Sequence, residues 1–241
     1  MKLHLDDKIF KELIKLTAIE LKINRPFVEK DYWITLVLSR LAKSKYVDES
    51  VFKGGTSLSK GYNLIERFSE DVDIAIINDK GKTGKEIKTI IRNIEKYIEQ
   101  YNLQSFEVNV LSKEQTLLEK MVSLIRFSFT ENTVESISEK IRHFYDLYYL
   151  MKSPECIEFA ASDSLKKQFD NILRHYREMF EEPKDWQTKS ISESPLVTNF
   201  STLWKQIKEK YQTELSALAY RPIPDEKDVA KCFEELIKRI E

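Results

Sequence analysis

Two carboxylates set the first chemical expectation. Asp71 and Asp73 open a β-branched run, Asp71-Val72-Asp73-Ile74-Ala75-Ile76-Ile77, and at the two-residue period of a strand their side chains leave the same face. Such a pair repels itself unless a cation sits between, and oxygen ligands of this kind suit Mg²⁺ held together with a nucleotide's phosphates. Upstream lies Val51-Phe52-Lys53-Gly54-Gly55-Thr56-Ser57-Leu58-Ser59-Lys60. Its two glycines break an apolar segment, and Thr56-Ser57 then opens a run of helix formers, which leaves the N–H groups of that helix start without partners. A turn of this type can hold a phosphate. Taken singly, a Gly-Gly-Thr turn or an Asp-x-Asp pair is more often structural. Their order carries the reading: glycine turn, helix, then two carboxylates on the next strand place phosphate donors beside metal ligands, as metal-dependent nucleotidyl transfer requires. The turn is not a P-loop, because Ser59 stands where the second glycine belongs and Gly61 where the Ser/Thr belongs. Lys60, one helical turn behind Thr56, is placed to reach the β- or γ-phosphate.

These residues need a scaffold, and apolar spacing supplies one. Phe10, Leu13, Ile14, Thr17 and Leu21 predict a helix over 6–22, and a second runs from Phe27 to Ala42 after Asn24-Arg25-Pro26. Glu29, Lys30 and Asp31 in its first turns form either a solvated face or the rim of a site. Val51-Phe52 reads as a short buried strand, Thr56 to Glu66 as a helix and Val72 to Ile77 as a strand. A helix over 85–101 follows, then a further strand through Phe106, Val108 and Val110. Beyond Leu111 the pattern changes. Residues 114–130, 136–152, 163–181, 199–219 and 226–240 read as helices, with Pro154, Pro183, Pro195, Pro222 and Pro224 in the connections. The expected architecture is α+β: a domain over 1–112 with N-terminal helices and a small mixed sheet, then an all-helical domain over 113–241.

Composition excludes several classes. With 41% hydrophobic and 33% charged residues over 241 positions, the chain is that of a globular protein needing no covalent staples. Cys156 and Cys232 lie far apart and outside any ligand spacing, so neither a disulfide framework nor a zinc site is indicated. Met1 to Asp7 carries charges where a signal peptide needs apolar residues, and Tyr32 to Leu38 is too short to cross a bilayer. A cytoplasmic protein is expected, without membrane partners. A formal charge of -1 leaves any nucleic-acid binding to a local patch. Lys80, Lys82, Lys85, Lys88, Arg92 and Lys96 against Glu86 and Glu95 offer one, although such a run is also the pattern of a plain solvated helix face.

Longer segments carry a resemblance. Through Val28-Glu29-Lys30-Asp31-Tyr32-Trp33, Phe52 to Lys60, Arg67-Phe68-Ser69-Glu70-Asp71-Val72-Asp73, Thr116-Leu117-Leu118-Glu119-Lys120 and Arg142-His143-Phe144-Tyr145-Asp146-Leu147-Tyr148, the chain resembles the AbiEii/AbiGii-type nucleotidyltransferase toxins. These belong to bacterial type IV toxin-antitoxin and phage-abortive-infection systems, within the polymerase-beta-like nucleotidyltransferases. The resemblance implies Mg²⁺ or Mn²⁺ held by Asp71 and Asp73, and a nucleoside triphosphate held by the turn of Gly54, Gly55, Thr56 and Ser57. It further implies that Lys120 contacts phosphate and that Asp146 is the last acidic residue of the site. Residue types alone leave Lys120 as a solvated helix residue and Asp146 as a helix-surface partner of Arg142. Glu107 is either a third site carboxylate or an exposed strand residue, and His143 either a structural or a reacting group. The implied acceptor is the 3′ end of tRNA, with a separately encoded antitoxin as partner. Transfer to a protein hydroxyl and a non-catalytic nucleotide-binding module are the alternatives.

Overall fold

The computed structural model describes residues 3–68, 71–77, 81–97 and 108–241, the side chains of 92–97 excepted. The chain divides into two compact units, Met1–Gly61 with Phe68–Leu111, and Tyr62–Arg67 with Ser112–Glu241.

The first unit begins with helix α1 (Asp7–Leu21), whose N-terminal Asp6 carboxylate accepts hydrogen bonds from the Lys8 and Ile9 N–H groups at 3.1 and 3.0 Å. It buries Phe10, Ile14 and Ala18 and ends where Lys22 turns left-handed, with φ 56°. Helix α2 (Arg25–Lys43) carries Pro26 in its first turn, where the fixed φ and missing N–H of proline are tolerated. Strand β1 (Ser50–Lys53), helix α3 (Gly54–Lys60), strand β2 (Asp73–Ile76) and helix α4 (Gly84–Tyr97) follow. β1 and β2 pair antiparallel, from Ser50 opposite Ile76 to Lys53 opposite Asp73. On its other edge β1 meets Val110 in parallel: Phe52 N–H donates to the Asn109 carbonyl at 2.8 Å, and Leu111 N–H to the Phe52 carbonyl at 3.0 Å. The pairing is therefore mixed. Among the described residues the third strand expected near Val110 is seen only as this bridge; Phe106 and Glu107 lie outside them. Two apolar clusters hold the sheet, Ile34, Leu38 and Phe52 with Val72, Val108 and Val110, and Leu41, Tyr46 and Ile90 with Ile74 and Ile76.

The second unit is helical: α5 (Lys113–Phe127), α6 (Thr133–Glu139), α7 (Ile141–Leu150), α8 (Pro154–Ala161), α9 (Ser164–Met179), α10 (Pro195–Thr198), α11 (Phe200–Leu218) and α12 (Glu226–Ile237). Ser112 and Asp225 cap α5 and α12 through Gln115 N–H and Lys227 N–H. At the core, the Phe144 ring of α7 meets Phe200 and Trp204 of α11 and Phe233 of α12 at centroid distances of 6.0, 5.3 and 4.8 Å. The single helix expected over 136–152 is two, parted at Lys140, and the residues after Pro154 form a helix rather than a connection. No helix among the described residues is long and apolar enough to cross a membrane.

Tyr62–Arg67 departs most from the sequence reading. The helix expected to reach Glu66 stops at Lys60, and the chain beyond it joins the second unit. Arg67 forms an antiparallel bridge with Ala219; Tyr220 donates its N–H to the Glu66 carbonyl at 3.1 Å and its hydroxyl to the Ile65 carbonyl at 3.2 Å. Ile65 is fully buried. These are long-range pairings, which helical periodicity does not register.

Candidate active site

In the first unit, β1 runs straight into α3, and the reversal falls on Gly54 with φ 79°. Glycine is needed there twice over. The positive φ disfavours any side chain, and a Cβ would overlap the Asp73 carboxylate, meeting Oδ2 and lying 3.1 Å from Cγ. The carboxylate at the start of β2 thus lies directly over the first residue of the glycine turn. Its register fixes this, since Asp73 pairs with Lys53, the residue before Gly54. Asp71 and Asp73 are both exposed.

The hydroxyls of the turn have structural partners. Thr56 donates its hydroxyl to the Asp71 carbonyl at 2.6 Å, and Ser57 donates to the Gly54 carbonyl at 2.8 Å. Thr56 therefore ties the helix start to the segment bearing the acid pair. An anion at this turn would be offered main-chain N–H groups, which have no partner inside the first turn of a helix. Lys60 leaves the other end of α3. Its ammonium pairs with the Asp31 carboxylate at 2.8 Å and donates to the Thr35 hydroxyl at 2.9 Å, so Asp31 of α2 belongs with Lys60 rather than to a solvated face. A cavity of about 510 Å³ adjoins it, lined by Leu38, Phe52, Gly61, Val108 and Val110 beside Thr35 and Lys60.

In the second unit, Lys120 of α5 and Asp146 of α7 come together. The Lys120 ammonium lies 2.7 Å from Asp146 Oδ2. Arg67 closes the group as a fork, its Nε donating to Oδ1 at 2.9 Å and its terminal nitrogen to Oδ2 at 2.7 Å. All three are buried, Asp146 completely. Burial alone would raise the Asp146 carboxyl, but the charges and hydrogen bonds of Arg67 and Lys120 outweigh it and hold the group far below the usual carboxylate range. His143, one helical turn before it, is pushed well below the usual imidazole range, first by burial and then by the Lys120 charge. Its ring is neutral at pH 7. Lys120 is thus no solvated residue. Asp146 is held by Arg67 and Lys120, while Arg142 reaches Glu214 at 3.3 Å.

The acids and the turn meet in the first unit, Lys120 and Asp146 in the second. Sequence reasoning gave no role to Arg67, although it stands inside a segment that carries the resemblance; its sign was a charge beside the apolar Ile65 and Phe68. Glu107, Lys80 and the side chains of Arg92 and Lys96 lie outside the described residues. Lys85 and Lys88 are exposed, whereas Lys82 donates to the Ile77 carbonyl at 3.1 Å and meets Glu49 at 3.3 Å.

Among the described residues no three His, Cys, Asp or Glu side chains converge on one point. The pair Asp71 and Asp73 still fits Mg²⁺, which one or two carboxylates hold when substrate phosphates complete the shell. Oxygen donors beside a turn with free first-turn N–H groups suit metal-dependent chemistry on a phosphate. The family described as nucleotidyl transferase AbiEii toxin, type IV toxin-antitoxin system, matches residues 36–101 and 89–235, and the chain belongs to it. No individual curated protein and no solved structure shows a significant match.

Proposed function

We propose that this nucleotidyl transferase toxin uses Mg²⁺ and a nucleoside triphosphate to add nucleotides to the 3′ end of tRNA, which blocks translation, and that a separately encoded antitoxin neutralises it in the cytoplasm as part of phage defence. The observation that carries the reading is the Asp73 carboxylate lying over Gly54, because it joins a metal ligand to a phosphate-binding turn. In the reaction the acceptor hydroxyl oxygen forms a bond to the α-phosphorus, the bond from that phosphorus to pyrophosphate breaks, and the hydroxyl proton leaves to solvent. Asp71 and Asp73 would hold the ion, which when bound neutralises charge on the α-phosphate and the departing pyrophosphate. The first-turn N–H groups of Gly55, Thr56 and Ser57 orient the triphosphate, and Lys60 exchanges Asp31 for a phosphate oxygen. Lys120 supplies a fixed positive charge for the transition state.

The test is to incubate the purified protein with each labelled nucleoside triphosphate and total RNA. Label at the 3′ end of tRNA with release of pyrophosphate is the expected result. Label on protein would move the acceptor to a protein hydroxyl, and absence of pyrophosphate with every nucleotide would leave a binding module without catalysis.

A further inference from the structure

We infer that Asp146 is a positioning residue rather than a reacting one, and that Arg67 is the second half of the same device: the Arg67 fork fixes the Asp146 carboxylate, which in turn fixes the Lys120 ammonium. The inference rests on the role given to Lys120 above.

The geometry leaves Asp146 little else to do. Both carboxylate oxygens are engaged, Oδ1 by Arg67 Nε and Oδ2 by the Arg67 terminal nitrogen together with Lys120. Its side chain is 0% exposed. A general base must reach the proton it takes and must titrate near the working pH. Asp146 is enclosed by its partners, and their charges hold its carboxyl far below the usual carboxylate range. A planar fork on a carboxylate fixes both position and orientation, which one ammonium cannot do. Lysine carries a flexible stem, so a cation that must meet a phosphate at one place gains from a carboxylate locked behind it. The surroundings agree. Leu117, Met121 and Leu124 on α5, and Tyr145 and Leu147 beside Asp146 in the sequence of α7, are themselves buried. The titratable groups that interact with it are His143, pushed well below the usual imidazole range, and Tyr145, pushed above the usual phenol range, with Lys140 acting on His143. Arg67 is held in place through its backbone by the bridge to Ala219.

The test is a double-mutant cycle on transfer rate with the full-length protein, using Lys120→Gln, Arg67→Gln and the pair. Each single change should lower kcat on the order of 10²-fold, the scale of a misplaced catalytic group, and the pair should fall no further than the worse single, within about threefold. Losses that multiply would show Arg67 acting independently and overturn the inference alone. Transfer at the wild-type rate by Lys120→Gln would instead overturn the role of Lys120 on which it rests. Should Arg67→Gln not fold, Arg67→Lys keeps a charge beside Asp146 but not the fork; a kcat loss of about tenfold or more supports positioning, and wild-type kcat refutes it. Asp146→Asn separates positioning from proton transfer. Its kcat should drop at all pH values with the acid limb of the profile unchanged, and disappearance of that limb would make Asp146 a reacting group.

Discussion

The two units use acidic residues in opposite ways. In the first, Asp71 and Asp73 are exposed, and what holds them is backbone: the β1–β2 register, the Thr56 hydroxyl on the Asp71 carbonyl, and a glycine that leaves room for Asp73. In the second, Asp146 is completely buried and held by side-chain charges on both oxygens. Exposed like charges contribute nothing favourable to the fold, so the pair is available to a ligand, and a cation that binds it stabilises its unit by mass action. A buried carboxylate with two cations is different. Removing one member leaves the others charged and desolvated, so that group is built for fixed geometry at a cost in tolerance.

The contrast can be broken most forcefully at Asp146. Asp146→Ala leaves Arg67 and Lys120 buried without their carboxylate and should destabilise the second unit by about 3–5 kcal/mol, measured by urea unfolding. The same group predicts a pH dependence. Its folded pKa lies below the unfolded value of 3.8, so its stabilisation is complete above that value and is lost as pH falls below it towards the folded pKa. The wild type should lose stability on acidification through that window, and Asp146→Asn should lose less. Equal acid sensitivity in both would contradict the assignment.

Next in size are the exposed acids. Asp71→Asn and Asp73→Asn should each cost on the order of 10³-fold in transfer, about 4 kcal/mol, while unfolding free energy stays within about 0.5 kcal/mol. A melting point that fell with the activity would erase the distinction between the units. Gly54→Ala combines a left-handed backbone with the Asp73 overlap and should cost about 1–3 kcal/mol of stability together with loss of nucleotide binding by calorimetry. Smallest is Lys60→Met. Its partner Asp31 is half exposed, so the lost pair is worth at most about 1 kcal/mol; a weaker nucleotide affinity without unfolding would place Lys60 at the phosphates.

Much of this was legible in the sequence, and the exceptions have physical causes. The β-strand pair, the glycine turn and most long helices follow from apolar period and turn chemistry, which are local. The sequence marks Gly54 and Gly55 as a turn before the helix, yet they form its first turn; Gly54 serves there for a φ and a clearance that only the Asp73 contact reveals. By sequence Pro154 falls in a connection; with Ser153 capping the Cys156 N–H at 3.4 Å it opens α8, the position where a proline costs a helix nothing. Arg67 escaped because its meaning depends on Asp146, far along the chain. Buried ion clusters join residues by tertiary contact, and no spacing rule encodes them.

The capture of Tyr62–Arg67 by the second unit bears on dissecting this gene. A cut between Leu111 and Ser112 looks natural on paper, yet the C-terminal fragment would lack the segment that bridges Ala219, the carbonyls that Tyr220 uses and the arginine that grips Asp146. The C-terminal fragment expressed alone should therefore fail to fold when cut there. A fragment that retained residues 62–67 by circular permutation would keep its own interior intact.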